Sequence, residues 1–158
     1  MTMKRLFTFV LLSSVCMAVQ AAPKKQDNNK INVSTAVVQA LPAGSNTTAA
    51  YVTLTSLKQN DTLIGAQCNG AKKTELHATV HQGGVLKMRQ IDKIALPKGQ
   101  SVKLQQGGNH LMLTGLSRSL EVGKTLDCTL KFAHAGDQKV RFSIRRVGTN
   151  TNQGNHKH

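Results

Sequence analysis

Aromatic side chains are scarce in this chain, which has no tryptophan, one tyrosine and four phenylalanines among 158 residues. Proteins that bind single-stranded nucleic acids stack the bases on aromatic rings inside a basic groove. The chain is basic enough for such a groove, with a formal net charge of +14, but it lacks the rings. We therefore expect no nucleic-acid partner. We interpret the charge as a solvated surface that either steers an acidic protein partner or only maintains solubility.

Acidic residues are also few, because only seven Asp and Glu occur and they are spread singly along the chain. Enzymes that use general acid–base chemistry need positioned carboxylates or histidines, and covalent catalysis needs a nucleophile beside a base. No serine or cysteine stands in a recognisable arrangement of that kind. We therefore expect a binding or carrier protein and not an enzyme.

Long hydrophobic runs are absent beyond the first 21 residues. Lys4 and Arg5 precede an apolar stretch over 6–19, and residues 19–21 resemble the small-residue site of a signal peptidase. The stretch is too short for an ordinary transmembrane helix, which needs about 18 or more consecutive apolar residues. We expect residues 1–21 to be a cleavable signal peptide, with the exported mature chain beginning at Ala22 and making no stable membrane insertion.

Lipid attachment is the alternative way in which such a leader is processed. Cys16 would be the acceptor, but Val15 before it is bulkier than that kind of site tolerates. The mature chain of 137 residues is long enough for one domain with a single core. We place this domain at 31–148 and expect the polar tails 22–30 and 149–158 to be disordered.

Cysteine is limited to two residues in the mature chain, Cys68 and Cys128. Cys68 shares the apolar side of a strand pattern with Ile64 and Ala66, and Cys128 does so in the segment 126–132. In an oxidising compartment this predicts a buried disulfide between the two, and the alternative is a pair of inert buried thiols.

The hydrophobic period along the chain is two, as in strands that bury one face. Val52 and Leu54 follow this period, and so do the apolar residues of 140–144. Turn signals such as Gly83-Gly84 and Gly107-Gly108 separate the segments, and no amphipathic helix is evident. The pattern predicts an all-β domain, either an antiparallel sandwich or a Greek-key barrel.

The only methionines of the mature chain, Met88 and Met112, occur in polar segments together with His77 and His110. Side chains alternate along a strand, so His110 and Met112 should project together, and His77 should lie on the polar side of its own strand. Each residue alone has an ordinary explanation as core or surface. Together they form a set of imidazole and thioether donors without oxygen, which suits Cu(I) better than zinc, calcium or magnesium.

The spacing of these residues also resembles a known family. The pattern is His77-x10-Met88-x21-His110-x-Met112, accompanied by Glu75-Leu76-His77, Gly84-Val85, Met88-Arg89 and the segment 107–116. It is similar to the periplasmic copper chaperones called PCu(A)C, and residues 49–54 and 61–66 resemble the segments that precede the motif there. The resemblance implies a cupredoxin-like or Ig-like antiparallel Greek-key β-sandwich in a single domain.

The resemblance further implies that the four residues bind Cu(I). It also implies delivery of copper to the copper-bearing subunit of a respiratory haem–copper (cytochrome c) oxidase, alongside a thiol-bearing Sco-type chaperone. The competing interpretations are a periplasmic storage or resistance protein that buffers copper without a dedicated recipient, and a basic β-sandwich adhesion module whose His and Met residues are incidental.

Three further histidines are candidates for accessory copper ligands. His81 stands where the family leads us to expect a further methionine, and its parity with His77 places it on the same side of the strand. It is either an exchangeable donor or a solvated histidine. His156 and His158 in the C-terminal tail are either a Cu(II) site, as in some tails of the family, or ordinary polar residues.

Overall fold

The structure is a computed structural model, and it describes residues 31–41 and 43–147. The predicted signal peptide, both predicted tails, His156 and His158 lie outside the described residues. The described chain forms ten strands and no helix: β1 (Asn32–Gln39), β2 (Thr47–Thr55), β3 (Asp61–Cys68), β4 (Lys73–Gln82), β5 (Val85–Gln90), β6 (Ile94–Leu96), β7 (Ser101–Leu104), β8 (His110–Thr114), β9 (Thr125–Phe132) and β10 (Gly136–Arg145). The all-β prediction is confirmed.

The strands form one continuous path of hydrogen-bonded neighbours in the order β5-β4-β8-β2-β1-β10-β9-β3-β6, and β7 also pairs with β2. The pairings are antiparallel except between β1 and β10, where Val37 lies opposite Ser143 in parallel register. The predicted antiparallel architecture thus includes one parallel pair of strands. The first and last strands lie side by side in the same direction, and each is antiparallel to its other neighbour, β2 or β9.

The core lies between the inner faces of the two halves of this sheet path. The period of two is visible in β2, where Thr48, Ala50, Val52 and Leu54 are buried and the residues between them are not. Buried residues of β8, β9 and β10 belong to the same hydrophobic cluster. Burying an aliphatic side chain contributes about 1.5–3 kcal/mol, so alternation of this kind fixes which face of each strand is internal. The described residues contain no helix long and apolar enough to cross a membrane.

The alternation breaks in β3, where the sequence pattern predicted Ile64 on the apolar side. Ile64 is 51% exposed, whereas Leu63 and Ala66 are buried. The pairing of β3 with β9 shifts register between Leu63 and Gly65, as in a β-bulge. A bulge adds one residue to one strand and reverses the parity after it, so the placement of Ile64 was wrong.

Cys68 and Cys128 lie directly opposite each other in β3 and β9, beyond this bulge. The structure joins them by a disulfide, with 4.0 Å between the two Cα atoms and 60 residues of sequence separation. Both cysteines are buried. Because the sulfur atoms are bonded to each other, neither is a free thiolate ligand for a metal.

Asp61 at the start of β3 is a buried carboxylate that fixes a turn. It accepts hydrogen bonds from the backbone N–H groups of Thr62 at 2.7 Å, His134 at 3.0 Å and Ala135 at 2.9 Å. The last two residues belong to the turn between β9 and β10. A buried charge is tolerated where such hydrogen bonds satisfy it, so Asp61 attaches this turn to β3.

Candidate metal centre

The candidate ligands lie on three neighbouring strands at the β5 end of the sheet path. In the antiparallel pairing of β4 with β8, His77 lies directly opposite His110, and Glu75 lies directly opposite Met112. Residues opposite each other in a ladder project to the same face, and on one strand every second residue does so. Both histidines and Met112 therefore share one face, while Leu76 and Leu111 between them enter the core.

Met88 joins this face through the pairing of β4 with β5, in which it lies opposite Thr79. It is therefore a diagonal neighbour of His77, at the distance of about 7–8 Å between backbones that long side chains can bridge. The hairpin that returns β5 to β4 turns at Gly83 and Gly84, with φ angles of 60° and 77°. Side chains other than glycine rarely adopt two successive positive φ angles, so the glycine pair permits this tight turn.

The ring of His110 is oriented by a backbone carbonyl two residues earlier in the chain. It is 5% exposed, and its Nδ1 lies 3.0 Å from the carbonyl oxygen of Gly108. A carbonyl oxygen can only accept a hydrogen bond, so Nδ1–H donates and the proton is on that nitrogen. Nε2 then carries a free lone pair, and a fixed tautomer with one ring nitrogen oriented by a carbonyl is the usual arrangement of a metal-binding histidine.

His77 is oriented by a carboxylate, Glu75, that is not among the four ligands predicted from the sequence. Its Nε2 lies 3.4 Å from Oε2 of Glu75, and the two side chains are 16% and 28% exposed. The other ring nitrogen, Nδ1, is buried and has no hydrogen-bond partner among the described residues. Because the carboxylate accepts from Nε2–H, Nδ1 is left as a lone pair, and a ligand at this nitrogen would remove its desolvation cost.

Glu75 therefore corrects the expectation that the cluster has no oxygen. It has the same parity along β4 as His77, and that parity was the available signal for it. Its negative charge lies beside one imidazole and opposite Met112. A cation bound between these residues would have one carboxylate close by to offset its charge.

The face opens into a cavity of about 620 Å³ that His110, Met112 and Met88 line together with Leu86 and Tyr51. None of its lining residues is Lys, Arg, Asp or Glu. Burial raises the pKa of the Tyr51 phenol, because the ionised form would lose solvation. This opening is an uncharged region on an otherwise strongly basic chain.

The donors differ in solvent exposure along the face. The His77 and His110 rings stand with their centroids 5.9 Å apart at an interplanar angle of 47°, and both are largely covered. Met88 is 64% exposed. His81 is exposed near the end of β4, opposite Leu86. The structure thus brings the four predicted ligands to one face, with His81 on that face but farther out.

The composition of the cluster restricts the metal. In the described part of the chain, no group of three or more His, Cys, Asp or Glu side chains could hold a metal ion. The donors that this face presents are the imidazoles of His77 and His110 and the sulfur atoms of Met88 and Met112. Thioether sulfur with imidazole nitrogen is a soft donor set that fits Cu(I), and it is a poor set for zinc, calcium or magnesium.

Comparisons with known proteins agree with this architecture. The family model described as LpqE-like, a family of lipoproteins by its description, matches residues 31–144. A relative from Leifsonia xyli subsp. xyli (strain CTCB07), named "Putative lipoprotein Lxx21020", is 32% identical over 133 residues. That match covers 82% of this chain and 78% of the relative.

Two proteins of known structure have the same fold. The solution structure of the Cu(I) form of DR1885 from Deinococcus radiodurans is 32% identical, with a TM-score of 0.58 over 81% of this chain and 82% of that chain. The copper-bound PCuAC domain from PmoF2 is 23% identical, with a TM-score of 0.62 over 75% of this chain and 94% of that chain. At this lower identity the PmoF2 likeness concerns the fold alone.

Proposed function

The chain belongs to the LpqE-like family, and from that premise we propose that it is a periplasmic carrier of Cu(I). The likeness to the PCu(A)C family that the sequence predicted is confirmed. The observation that carries the proposal is the meeting of two imidazoles and two thioethers on one face of three paired strands. A relative with the same fold, DR1885, has been solved with Cu(I).

The chemistry of the face favours the cuprous ion. Thioethers carry no charge and no titratable proton, and they stabilise Cu(I) more than Cu(II). Glu75 supplies the only carboxylate among the residues placed at the face, and it lies beside His77, not among the sulfur atoms. We infer that His110 binds through Nε2 and His77 through Nδ1, because these are the nitrogens that the hydrogen bonds leave free.

The same face suits transfer better than catalysis. The cavity is open, and Met88 stands mostly in solvent, so an incoming ligand from another protein can reach an ion at this face. Cys68 and Cys128 are bonded to each other, so the described part of the chain offers no thiolate in competition. A recipient with thiolate ligands would therefore bind Cu(I) more tightly and draw it away.

For the recipient we propose the copper centre of a respiratory haem–copper oxidase, with a Sco-type thiol chaperone as a further partner. The support is the family likeness and the exposed position of the candidate site. Deletion of the gene tests this proposal against copper buffering. Loss of oxidase activity in copper-limited cells, restored by added copper, supports delivery, whereas sensitivity confined to copper excess supports a storage or resistance protein.

We propose export to the periplasm with cleavage before Ala22. The family description as lipoproteins makes Cys16 the rival processing site. The intact mass of the mature protein separates the two, because cleavage before Ala22 gives an unmodified chain of 137 residues. A lipid-modified chain that begins at Cys16 would contradict the proposed cleavage.

The copper chemistry is tested by anaerobic titration of the folded domain with Cu(I), followed by X-ray absorption. We expect one ion per chain, with about two sulfur neighbours near 2.3 Å and nitrogen near 2.0 Å, by analogy with other sulfur and imidazole sites. Loss of a group that only orients a metal ligand lowers metal affinity by about 10–100-fold. Met112→Leu removes a ligand itself, so it should lower the Cu(I) affinity by more than that.

The matched control is His134→Gln, which changes an exposed histidine in the turn between β9 and β10. Thermal melts of both variants show whether the fold is intact. Retention of wild-type affinity by a folded Met112→Leu protein would refute the four-donor site. Failure of the wild-type protein to take up Cu(I) would refute the proposed function altogether.

A further inference from the structure

Met88 occupies a symmetric position in the β4–β5 hairpin. It lies opposite Thr79, with the His77–Gln90 pair two residues away in one direction along the ladder and the His81–Leu86 pair two residues away in the other. All of these residues project to the same face. Met88 is therefore a diagonal neighbour of both His77 and His81, each within reach of its long side chain.

Solvent exposure increases steadily along this face. His110 is 5% exposed, the His77 side chain 16% and Met88 64%, and His81 beyond it is exposed as well. The two inner histidines are therefore less accessible than Met88 and His81. An ion held at Met88 and His81 would be open to a second molecule.

We propose that His81 and Met88 form a second, outer site for Cu(I), and that Met88 is shared between this site and the inner one. The inference rests on the proposed function, and it assigns the route by which the ion arrives and leaves. Along a strand the rise is about 3.3 Å per residue, so the Cα atoms of His77 and His81, four residues apart on β4, are about 13 Å apart. One ion cannot bond to both, and the two histidines define two separate positions.

The donors of the outer site are suited to binding Cu(I) weakly and transiently. A neutral imidazole and a thioether are soft donors that accept Cu(I), and two donors hold the ion less tightly than four. Moving outwards, the ion keeps its bond to Met88, loses its bonds to His77, His110 and Met112, and gains a bond to His81. No electron is transferred, and the ion remains cuprous throughout.

The surroundings of the outer site do not repel a cation. The two basic residues of β5, Lys87 and Arg89, alternate with Leu86 and Met88 and so project to the opposite face. Leu86, which lies opposite His81, is uncharged and contributes to the cavity of the inner site. The face from the inner donors to His81 is therefore free of ammonium and guanidinium groups on both strands of the hairpin.

The first test is kinetic and uses His81→Gln in the full mature chain. The protein is loaded with one Cu(I) and mixed with excess bicinchoninate, whose cuprous complex is coloured. We expect withdrawal of the ion to slow by about tenfold, as when an intermediate loses ~1.4 kcal/mol of stabilisation. His134→Gln should leave the rate unchanged. An unchanged rate in His81→Gln would overturn the outer site.

The equilibrium affinity for Cu(I) is measured on the same samples. A loss of about tenfold or more in His81→Gln would place His81 in the main donor set and would also overturn the inference. Uptake of Cu(I) by the wild-type protein is the separate requirement of the proposed function. If the wild-type protein binds Cu(I) but His81→Gln does not change the rate of withdrawal, the proposed carrier function stands and only the outer site is refuted.

The second test detects the outer site directly in a protein whose only remaining inner donor is the shared Met88. The His77→Gln/His110→Gln/Met112→Leu triple variant, shown to be folded by its melting curve, is titrated with Cu(I) and examined by X-ray absorption. We expect weak binding of one ion with one sulfur neighbour from Met88. Adding His81→Gln should abolish this binding. Binding that persists without His81, or none in the triple variant, would contradict the proposal.

Discussion

The Cys68–Cys128 disulfide should supply a large part of the stability of this domain. It closes a loop of 60 residues between β3 and β9. The chain-entropy relation for a loop of that length gives about 4 kcal/mol at 25 °C, because the unfolded chain is restricted while the native pairing is unchanged. A single domain of this size has about 5–15 kcal/mol in total, so the bridge is a substantial share.

The perturbation is Cys68→Ala, Cys128→Ala and the double variant, each measured by urea unfolding with linear extrapolation. All three should lose about 4 kcal/mol, because each lacks the same covalent link. The agreement of the single and double variants is the internal control. A loss of less than about 1 kcal/mol in all three would refute the loop-closure reasoning.

The bridge also has a consequence for copper. The two Cα atoms are 4.0 Å apart, so reduction would place two thiols side by side, and thiolates are strong ligands for Cu(I). A reduced wild-type protein should therefore take up a second Cu(I), and the double alanine variant should not. Titration of oxidised and reduced protein with Cu(I) measures this difference.

Three further perturbations address single residues. Glu75→Gln should lower the affinity for Cu(I) by about 10–100-fold without loss of fold, since it weakens the group that orients His77; unchanged affinity in a chelator competition would contradict this role. Burial raises the pKa of Tyr51 above 10.0, so the phenolate absorbance should titrate with its midpoint above that value. The folded state then keeps the phenol proton to higher pH than the unfolded state does. The contribution of Tyr51 to stability should therefore be constant below about pH 10 and fall above it. Asp61→Ala should lower the free energy of unfolding in urea by about 3 kcal/mol, because three backbone N–H groups lose their acceptor. Asp137 is exposed, so Asp137→Ala should change little. Equal effects of the two substitutions would refute the role of Asp61 in attaching the turn to β3.

The sequence predicted the elements of the fold better than their connections. Alternation in β2 and β10 follows from local preference and burial, and both strands were read correctly from the period of two. The parallel pairing of β1 with β10 joins the two ends of the domain and depends on how the whole sheet closes. Nothing in either segment alone encodes that choice.

The misplacement of Ile64 has a similar cause. A period of two carries parity along a strand only while the ladder is regular, and the register shift between Leu63 and Gly65 breaks it. The shift is visible only when β3 is paired with β9. At the candidate site the missed residue was Glu75, because parity alone placed it on the correct face but could not show its carboxylate 3.4 Å from His77.

The candidate site depends on strand register more than on any single contact. Its donors come from β4, β5 and β8, and they share a face only because His77 pairs with His110 and Thr79 pairs with Met88. A slip of one residue in either ladder would turn one partner's donors towards the core. Leu76 and Leu111, which are buried on the reverse of the same ladder, make that slip costly, since it would exchange aliphatic burial for polar burial. The hydrophobic core therefore specifies the candidate site: the apolar residues that separate the candidate ligands in sequence are what hold them together in space.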